Sequence, residues 1–171
     1  MNVNIYIETS FKGPSLRRAV GAWIVECITS DGEPNTRGGL IYADWIGEND
    51  LVLRLVEKAF SILTKTCCVV VFTSCGHVLR TMQNHWLTQW RKNGWINAKG
   101  RLIRNAEAWN RCANLFDNHM TEWTDQWHTY RLEMQRRIKA ELELDHAADY
   151  MEIVVKEWNT PRRRKERENH V

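Results

Sequence analysis

The sequence lacks several features that would place it in a membrane or an oxidising compartment. No apolar run approaches the roughly 20 residues that a membrane-spanning helix needs. The first residues alternate between polar and apolar types, without the basic stretch and apolar block of a signal peptide. The five cysteines include no C-x-x-C pair, so neither a disulfide framework nor a zinc site is indicated. We therefore expect reduced thiols, a cytoplasmic location and no membrane partner.

Acidic residues are nearly absent from residues 80–111, where seven basic residues accompany a single acid, Glu107. The formal net charge of the whole chain is only +3, so this local excess is the stronger signal. Four of the nine tryptophans lie in the same stretch: Trp86, Trp90, Trp95 and Trp109. A basic patch interleaved with aromatic residues favours an anionic partner.

The chain length of 171 residues suits one domain with a full-sized core. Hydrophobic periodicity predicts the order β-β-β-α-β-α-α-β-α, with strands over 3–8, 19–28, 39–43, 67–72 and 121–124 and helices over 49–63, 76–90, 106–116 and 130–142. This order predicts an α/β fold, a mixed five-stranded sheet flanked by helices on both faces. Residues 1–158 are expected to form the domain, and the basic tail over 159–171 is expected to be disordered.

One long, ordered pattern lies in the basic stretch: Trp86-Leu-Thr-Gln-Trp90-Arg-Lys-Asn-Gly-Trp95, then Gly100-Arg-Leu-Ile-Arg-Asn105-Ala-Glu-Ala-Trp109. It resembles the handle of the type 1 ribonuclease H (RNase H-like) family, a basic, tryptophan-rich helix–loop–helix. The predicted element order, with Glu8 ending the first strand, is also similar to that family. The resemblance covers roughly residues 2–130. It implies an RNase H-like fold with a handle at about 80–111 and an RNA–DNA hybrid as the partner.

The resemblance also implies which side chains bind nucleic acid. Basic side chains of the handle would contact phosphates, and flat indoles would pack on sugars. Ser10 and Asn49, beside Glu8, would hydrogen-bond 2′-hydroxyl groups of the RNA strand. The handle set is Trp86, Trp90, Arg91, Lys92, Trp95, Lys99, Arg101, Arg104 and Asn105. An alternative for Trp86, Trp90 and Trp109 is that they form the small core of the helix pair.

The chemistry implied by the resemblance is hydrolysis assisted by two Mg²⁺ (or Mn²⁺) ions held by four carboxylates. Those carboxylates are an Asp on the first strand, a Glu early in the first helix, an Asp after the fourth strand and an Asp in the last helix. This chain departs from the pattern, with Glu8 at the first position and Ser74 at the third. The first-helix position is Val52 or Asp50, depending on the register.

The last predicted strand continues into Asp125-Gln-Trp-His128, similar to the family's strand followed by Lys-Gly-His. The predicted catalytic set is Glu8, Asp50, His128 and Glu133, and its acids Glu8, Asp50 and Glu133 would hold the metal; Glu141 and Asp149 are alternatives for the last acid. Each has a structural alternative: a surface acid for Glu8, a hydrogen-bonded loop residue for His128, and an i, i+4 partner of Arg137 for Glu133.

These observations favour a divergent RNase H-type endonuclease that cuts the RNA strand of a hybrid with an altered, incomplete carboxylate set. The alternative is a non-catalytic hybrid-binding module that has lost the metal site. A polymerase or a mobile-element protein is a possible further partner, and we expect a monomer. A junction-cutting or integrase-type nuclease of the same superfamily would not need the handle.

Overall fold

The computed structural model describes residues 1–156 and 158, which form six strands and five helices. The strands are β1 (Asn2–Thr9), β2 (Arg17–Ile28), β3 (Pro34–Ile46), β4 (Cys68–Phe72), β5 (Met120–Thr124) and β6 (Tyr150–Val155). The helices are α1 (Glu48–Ser61), α2 (Gly76–Gln83), α3 (Trp86–Lys92), α4 (Ala106–Phe116) and α5 (Arg131–Leu142). Within the described residues, no helix has the length and apolar character needed to cross a membrane. The tail over 159–171, predicted to be disordered, lies outside the described residues.

The six strands form one mixed sheet in the order β5-β4-β1-β2-β3-β6. β1, β2, β3 and β6 pair antiparallel, whereas β4 lies parallel to both β1 and β5. Tyr6 of β1 pairs with Phe72 of β4, so Glu8 and Ser74, each two residues further on, lie at the same level. The carboxyl ends of β1, β4 and β5 therefore meet at one edge of the sheet.

Helices cover both faces of the sheet, which gives the protein two apolar clusters. The larger one packs α1 and α4 against the face that carries Ile5 and Ile7. The smaller one packs α5 against the opposite face, which carries Tyr6. β1 is therefore buried on both sides, although its residues alternate between polar and apolar types.

Gly21 of β2 allows α1 to lie close to the sheet. A Cβ atom added at this position would lie 2.4 Å from Leu55 Cδ1, so a larger residue would force the Leu55 side chain or the helix itself to shift. The glycine fixes the distance between β2 and the helix that carries Glu48 and Asn49.

The predicted α/β class, mixed sheet and handle are confirmed, and the predicted strand count of five is wrong. The sixth strand, β6, pairs with β3 at the outer edge of the sheet. The predicted helix over 76–90 is two helices, because His85 adopts a left-handed conformation with φ of 57° between α2 and α3. β3 also begins earlier than predicted, at Pro34 directly after the turn.

Candidate functional site

Glu8 lies near the end of β1, on the sheet face that α5 covers. Side chains alternate along a strand, so Glu8 shares the face of Tyr6. Its exposed fraction is only 4%. Glu8 is therefore not a surface acid, and a carboxylate buried to this degree requires hydrogen-bond donors or a cation around it.

Three side chains supply those donors. His128 Nε2 lies 3.1 Å from Glu8 Oε1, and Arg131 Nε lies 3.5 Å from the same oxygen. Gln135 Nε2 donates to Glu8 Oε2 at 3.3 Å. Arg131 and Gln135 are four residues apart, so both project from the same face of α5. The cation next to the Glu8 carboxylate is thus the guanidinium of Arg131.

A buried polar network fixes the start of α5 above β1. The hydroxyl groups of Tyr6 and Tyr130 both donate to Glu26 of β2, Tyr6 at 2.9 Å. The Tyr6 ring also contacts the rings of Tyr130 and His128, with centroids 5.0 and 4.7 Å apart. Burial, followed by the nearby Glu26 charge, raises the pKa of Tyr6, so the phenol stays protonated and can donate. These contacts hold His128 and Arg131 at fixed positions beside Glu8.

A second ion pair lies at the same edge of the sheet, beyond the end of β4. Lys12 Nζ lies 3.3 Å from Glu48 Oε2 at the start of α1 and donates to Ser74 Oγ. The backbone N–H of Gly13 donates to Glu48 Oε1 at 3.1 Å. Ser74 stands where the resemblance implies an Asp, and the ammonium of Lys12 lies against it.

A small cavity lies beside the Glu8–Arg131 pair and reaches Ser74, the residue that Lys12 contacts. Its lining includes Glu8, Ser74, Asp125, His128 and Arg131. Its volume is about 10 Å³, about the space that one water molecule occupies. Asp125 is exposed on the rim, whereas His128 is buried.

The donor set does not fit the two metal ions that the resemblance implies. Mg²⁺ needs several oxygen ligands in strict octahedral geometry. Among residues 1–156 and 158, no three His, Cys, Asp or Glu side chains converge closely enough to hold a metal ion. Glu8 is already contacted by an arginine, a histidine and an amide, and Ser74 brings no negative charge.

The other predicted acids lie in other ion pairs. Asp50 contacts Arg54, four residues further along α1, at 3.1 Å. The alternative at the first-helix position, Val52, is buried in the larger apolar cluster. Asp149 precedes β6, where its backbone carbonyl accepts the N–H of Asp44 in β3, away from Glu8.

Glu133 is held by arginines of its own helix, Arg136 at 2.8 Å and Arg137 at 3.1 Å. Burial opposes its ionisation, but the hydrogen bonds from Arg136 and Arg137 outweigh burial and lower the pKa of Glu133. Glu141 lies near the end of α5, 3.4 Å from His146. Of the predicted catalytic set, the structure brings together Glu8 and His128, and the catalytic roles themselves stay predictions.

The helix pair of the handle packs around tryptophans. Trp109 of α4 is fully buried, and the Trp90 ring of α3 meets it edge-on at a centroid distance of 5.8 Å. Trp86 and His77 lie on the other sides of Trp90. The alternative interpretation, that these tryptophans form the core of the helix pair, therefore holds for Trp109. It holds in part for Trp90, which remains half-buried.

A tight turn shapes the loop between α3 and α4. Asn97 Oδ1 accepts the backbone N–H groups of Lys99 and Arg101, at 2.9 and 3.0 Å. Trp95 and Asn105 both have positive φ, 66° and 59°, and so turn the chain at the two ends of the loop. This geometry leaves four basic side chains exposed: Lys92, Lys99, Arg101 and Arg104.

Arg91 differs from the other handle cations because it holds α3 against the end of α4. Its two Nη atoms contact the carboxylate of Asp117 at 2.7 and 2.8 Å, and one also donates to Asn114 at 3.0 Å. The hydrogen bonds raise the pKa of Arg91 and lower that of Asp117. The phosphate contact predicted for Arg91 would compete with this pair.

The side chains of Ser10 and Asn49 each accept a hydrogen bond from a neighbouring part of the fold. The Ser10 hydroxyl accepts the N–H of Val20 at 3.1 Å. Asn49 Oδ1 accepts a hydrogen bond from the thiol of Cys75 at 3.3 Å. Burial raises the pKa of Cys75, so its thiol stays protonated and acts as a structural donor.

Sequence reasoning missed four residues at the sheet edge: Lys12, Glu48, Arg131 and Gln135. A signal for two of them exists, because Arg131 and Gln135 follow His128 at the spacing that places side chains on one helix face. No pattern in the sequence connects Lys12 to Ser74, since 62 residues separate them.

Comparisons with known proteins agree with this architecture. No family model matches the chain. A curated ribonuclease H of Legionella pneumophila (strain Corby) is 29% identical over 123 residues, which are 72% of this chain and 81% of that protein. The crystal structure of LC9-RNase H1, a type 1 RNase H with the type 2 active-site motif, superposes with a TM-score of 0.62 at 19% identity and covers 81% of this chain and 69% of that one.

A foamy viral protease-reverse transcriptase in complex with RNA/DNA hybrid superposes with a TM-score of 0.58 at 16% identity, covering 80% of this chain and 19% of that chain. The structural likenesses, at such low identity, establish the fold. The sequence similarity to curated ribonucleases H extends across most of both chains. The chain is therefore ribonuclease H-like in fold and in sequence, as its handle motif and strand order predicted.

Proposed function

We propose that this chain binds RNA–DNA hybrid through its basic handle, as an RNase H-type protein that recognises its substrate without cutting it. The observation that carries this proposal is the handle itself. Four exposed basic side chains lie at the end of α3 and in the loop before α4, and the helix pair that carries the loop packs around Trp109 and Trp90.

The charge of the handle suits a polyanion. Among the handle's basic residues, Arg91 is neutralised by Asp117, whereas Lys92, Lys99, Arg101 and Arg104 lie on the exposed surface. Each phosphate contact releases counterions, so hybrid affinity should fall steeply as salt increases. A neighbour of similar fold is described in complex with RNA/DNA hybrid, which supports the same class of ligand here.

Selectivity for RNA requires contacts with 2′-hydroxyl groups, which distinguish RNA from DNA. Ser10 and Asn49 remain the candidates for these contacts. The amide nitrogen of Asn49 and the hydroxyl proton of Ser10 can still donate while their oxygens accept the bonds described above. We expect tighter binding to a hybrid than to double-stranded DNA of the same sequence.

Loss of cutting is proposed because the Glu8 carboxylate is already contacted by His128, Arg131 and Gln135. A second candidate function, slow cleavage of the RNA strand, is favoured by the 29% identity to a curated ribonuclease H. Both candidates share hybrid binding and differ only in hydrolysis.

The test measures binding and cleavage on the same labelled 20-base-pair hybrid. Fluorescence anisotropy would compare the hybrid with matched double-stranded DNA and double-stranded RNA, each across a salt series. Gel analysis would follow the RNA strand with Mg²⁺, with Mn²⁺ and with EDTA. The expected result is salt-sensitive, hybrid-preferring binding with the RNA strand intact in all three conditions.

Two outcomes would change the proposal. Equal affinity for hybrid and double-stranded DNA would replace hybrid recognition with general duplex binding. Cleavage that requires a divalent ion and disappears in Glu8→Gln would establish the second candidate. Cleavage that persists in Glu8→Gln would point to a contaminating nuclease, and repeating the assay after a further purification step would remove it.

A further inference from the structure

Two cationic side chains of the chain itself lie at the edge of the sheet near Glu8: Arg131 lines the small cavity, and Lys12 contacts Ser74, which also lines it. Arg131 lies beside Glu8 on the α5 side, and Lys12 lies beside Ser74 on the β4 side. Their side chains are 44% and 51% exposed, whereas the acids that they contact, Glu8 and Glu48, are buried. The acids therefore face inwards and the cations face solvent.

We infer that Lys12 and Arg131 form a phosphate-binding subsite that contacts one backbone phosphate of the bound nucleic acid directly, without an intervening metal ion. The inference rests on the proposed hybrid binding and specifies how the sheet edge would contact the bound hybrid.

The hydrogen-bonding capacity of the two cations supports a phosphate ligand. Arg131 uses Nε toward Glu8, and its two Nη groups carry four further N–H donors in a planar fork. Such a fork matches two oxygens of a phosphodiester. Lys12 has three N–H donors and directs them toward Ser74 and Glu48. The Ser74 hydroxyl can rotate to donate to a phosphate oxygen as well.

The acids at this edge do not prevent anion binding. Glu8 is offset by Arg131, and Glu48 by Lys12, so each buried charge has a partner of opposite sign. Asp125 also lines the cavity, but it is exposed at the rim, where solvent screens its charge. The arrangement is the reverse of a metal site, because the outward-facing charges are positive.

The sharpest test is the removal of an acid. In a metal site, loss of Glu8 weakens or abolishes metal-assisted binding. In the inferred subsite, Glu8→Gln frees Arg131 from its partner and should strengthen hybrid binding by several-fold, with no change when EDTA replaces Mg²⁺ at matched ionic strength. Weaker binding by Glu8→Gln, or a loss of affinity in EDTA, would overturn the inference.

The charge variants complete the experiment. Lys12→Gln and Arg131→Gln should each reduce the log–log salt slope by about 0.9, as loss of one phosphate contact does. Lys65→Gln is the matched control, because Lys65 is exposed and precedes β4 at the opposite edge of the sheet. Arg131→Lys keeps the charge and should retain the slope. Circular dichroism would confirm that each variant is folded. If Arg131→Gln unfolds, the salt slope of Lys12→Gln still tests the subsite, because Lys12 lies in an exposed loop.

Failure of this inference is distinguishable from failure of the proposed function. If the unmodified protein binds hybrid and both charge variants match Lys65→Gln, the subsite is wrong and handle binding stands. If the unmodified protein does not bind hybrid at any salt concentration, the proposed function itself is wrong.

Discussion

The handle and the sheet edge at Glu8 carry charge in different ways. In the handle, a tryptophan core supports cations that point into solvent and are mostly unpaired with acids. At the sheet edge, each cation is paired with a buried acid, and a small polar cavity lies between Arg131 and Ser74. The handle is thus organised by apolar packing with charge on its surface, whereas the sheet edge is organised by charge pairs with little free volume.

The largest expected effect comes from removing the surface charge of the handle. The quadruple variant Lys92→Gln, Lys99→Gln, Arg101→Gln and Arg104→Gln should lower the log–log salt slope by about 3.6, or about 0.9 for each contact. Hybrid affinity at 0.1 M salt should then fall by up to about three orders of magnitude. Anisotropy titrations at four salt concentrations would measure both quantities.

The thermal stability of the quadruple variant should stay close to that of the parent, since its four changes are exposed. An unchanged slope in a folded quadruple variant would remove the handle from the binding surface. The difference in charge between the handle and the sheet edge would then have no bearing on nucleic-acid binding.

The next effect is on stability and tests the apolar core of the handle. Trp109 is fully buried, so Trp109→Ala should lower the free energy of unfolding by about 3–5 kcal/mol. Urea denaturation followed by circular dichroism would measure it. Trp127→Ala is the matched control, because Trp127 is 61% exposed and next to His128 at the sheet edge; its cost should stay within about 0.5 kcal/mol.

The smallest effect separates Arg91, which is paired with Asp117, from its unpaired neighbour Lys92. Arg91→Gln should lower stability at pH 7 by no more than about 1 kcal/mol, since the Asp117 pair is partly exposed. The salt slope of hybrid binding should change less in Arg91→Gln than in Lys92→Gln, because Arg91 is already occupied.

The stability difference for Arg91→Gln should also depend on pH. Arg91 lowers the folded-state pKa of Asp117 below its ordinary value of 3.8, so the pair stabilises the fold above that pH. Its contribution is lost as pH falls through the lower folded-state value. Parent and variant should therefore converge in stability below about pH 4, and a gap that stays constant to pH 2 would contradict the assignment.

The fold was predictable because its signals are local. Alternation in β1, the apolar run in β4 and the tryptophan spacing of the handle are each contained in a few residues. β6 escaped prediction although Met151, Ile153 and Val155 alternate inward, because the strand is defined by pairing with β3, more than 100 residues away. The split between α2 and α3 depends on the backbone of His85, which no periodicity reveals.

The candidate site was predictable only in part. Glu8 at the end of β1 and His128 before α5 were both identified from the resemblance. In the structure, His128 Nε2 lies 3.1 Å from Glu8 Oε1. The role of Asp50 depended on a register that a single sequence leaves open, and in the structure the side chain pairs with Arg54. Lys12 could not be found from sequence, because its contact with Ser74 exists only when β1 and β4 lie side by side.

The contact between His128 and Glu8 has a consequence for proton exchange. Nε2 faces the carboxylate and carries the shared proton, and the rings of Tyr6 and Phe72 pack against the imidazole. His128 is only 7% exposed, so that proton exchanges with bulk water mainly when the start of α5 lifts from the sheet. The imidazole N–H should therefore give a persistent proton resonance in water, whose lifetime reports how often this edge of the sheet opens.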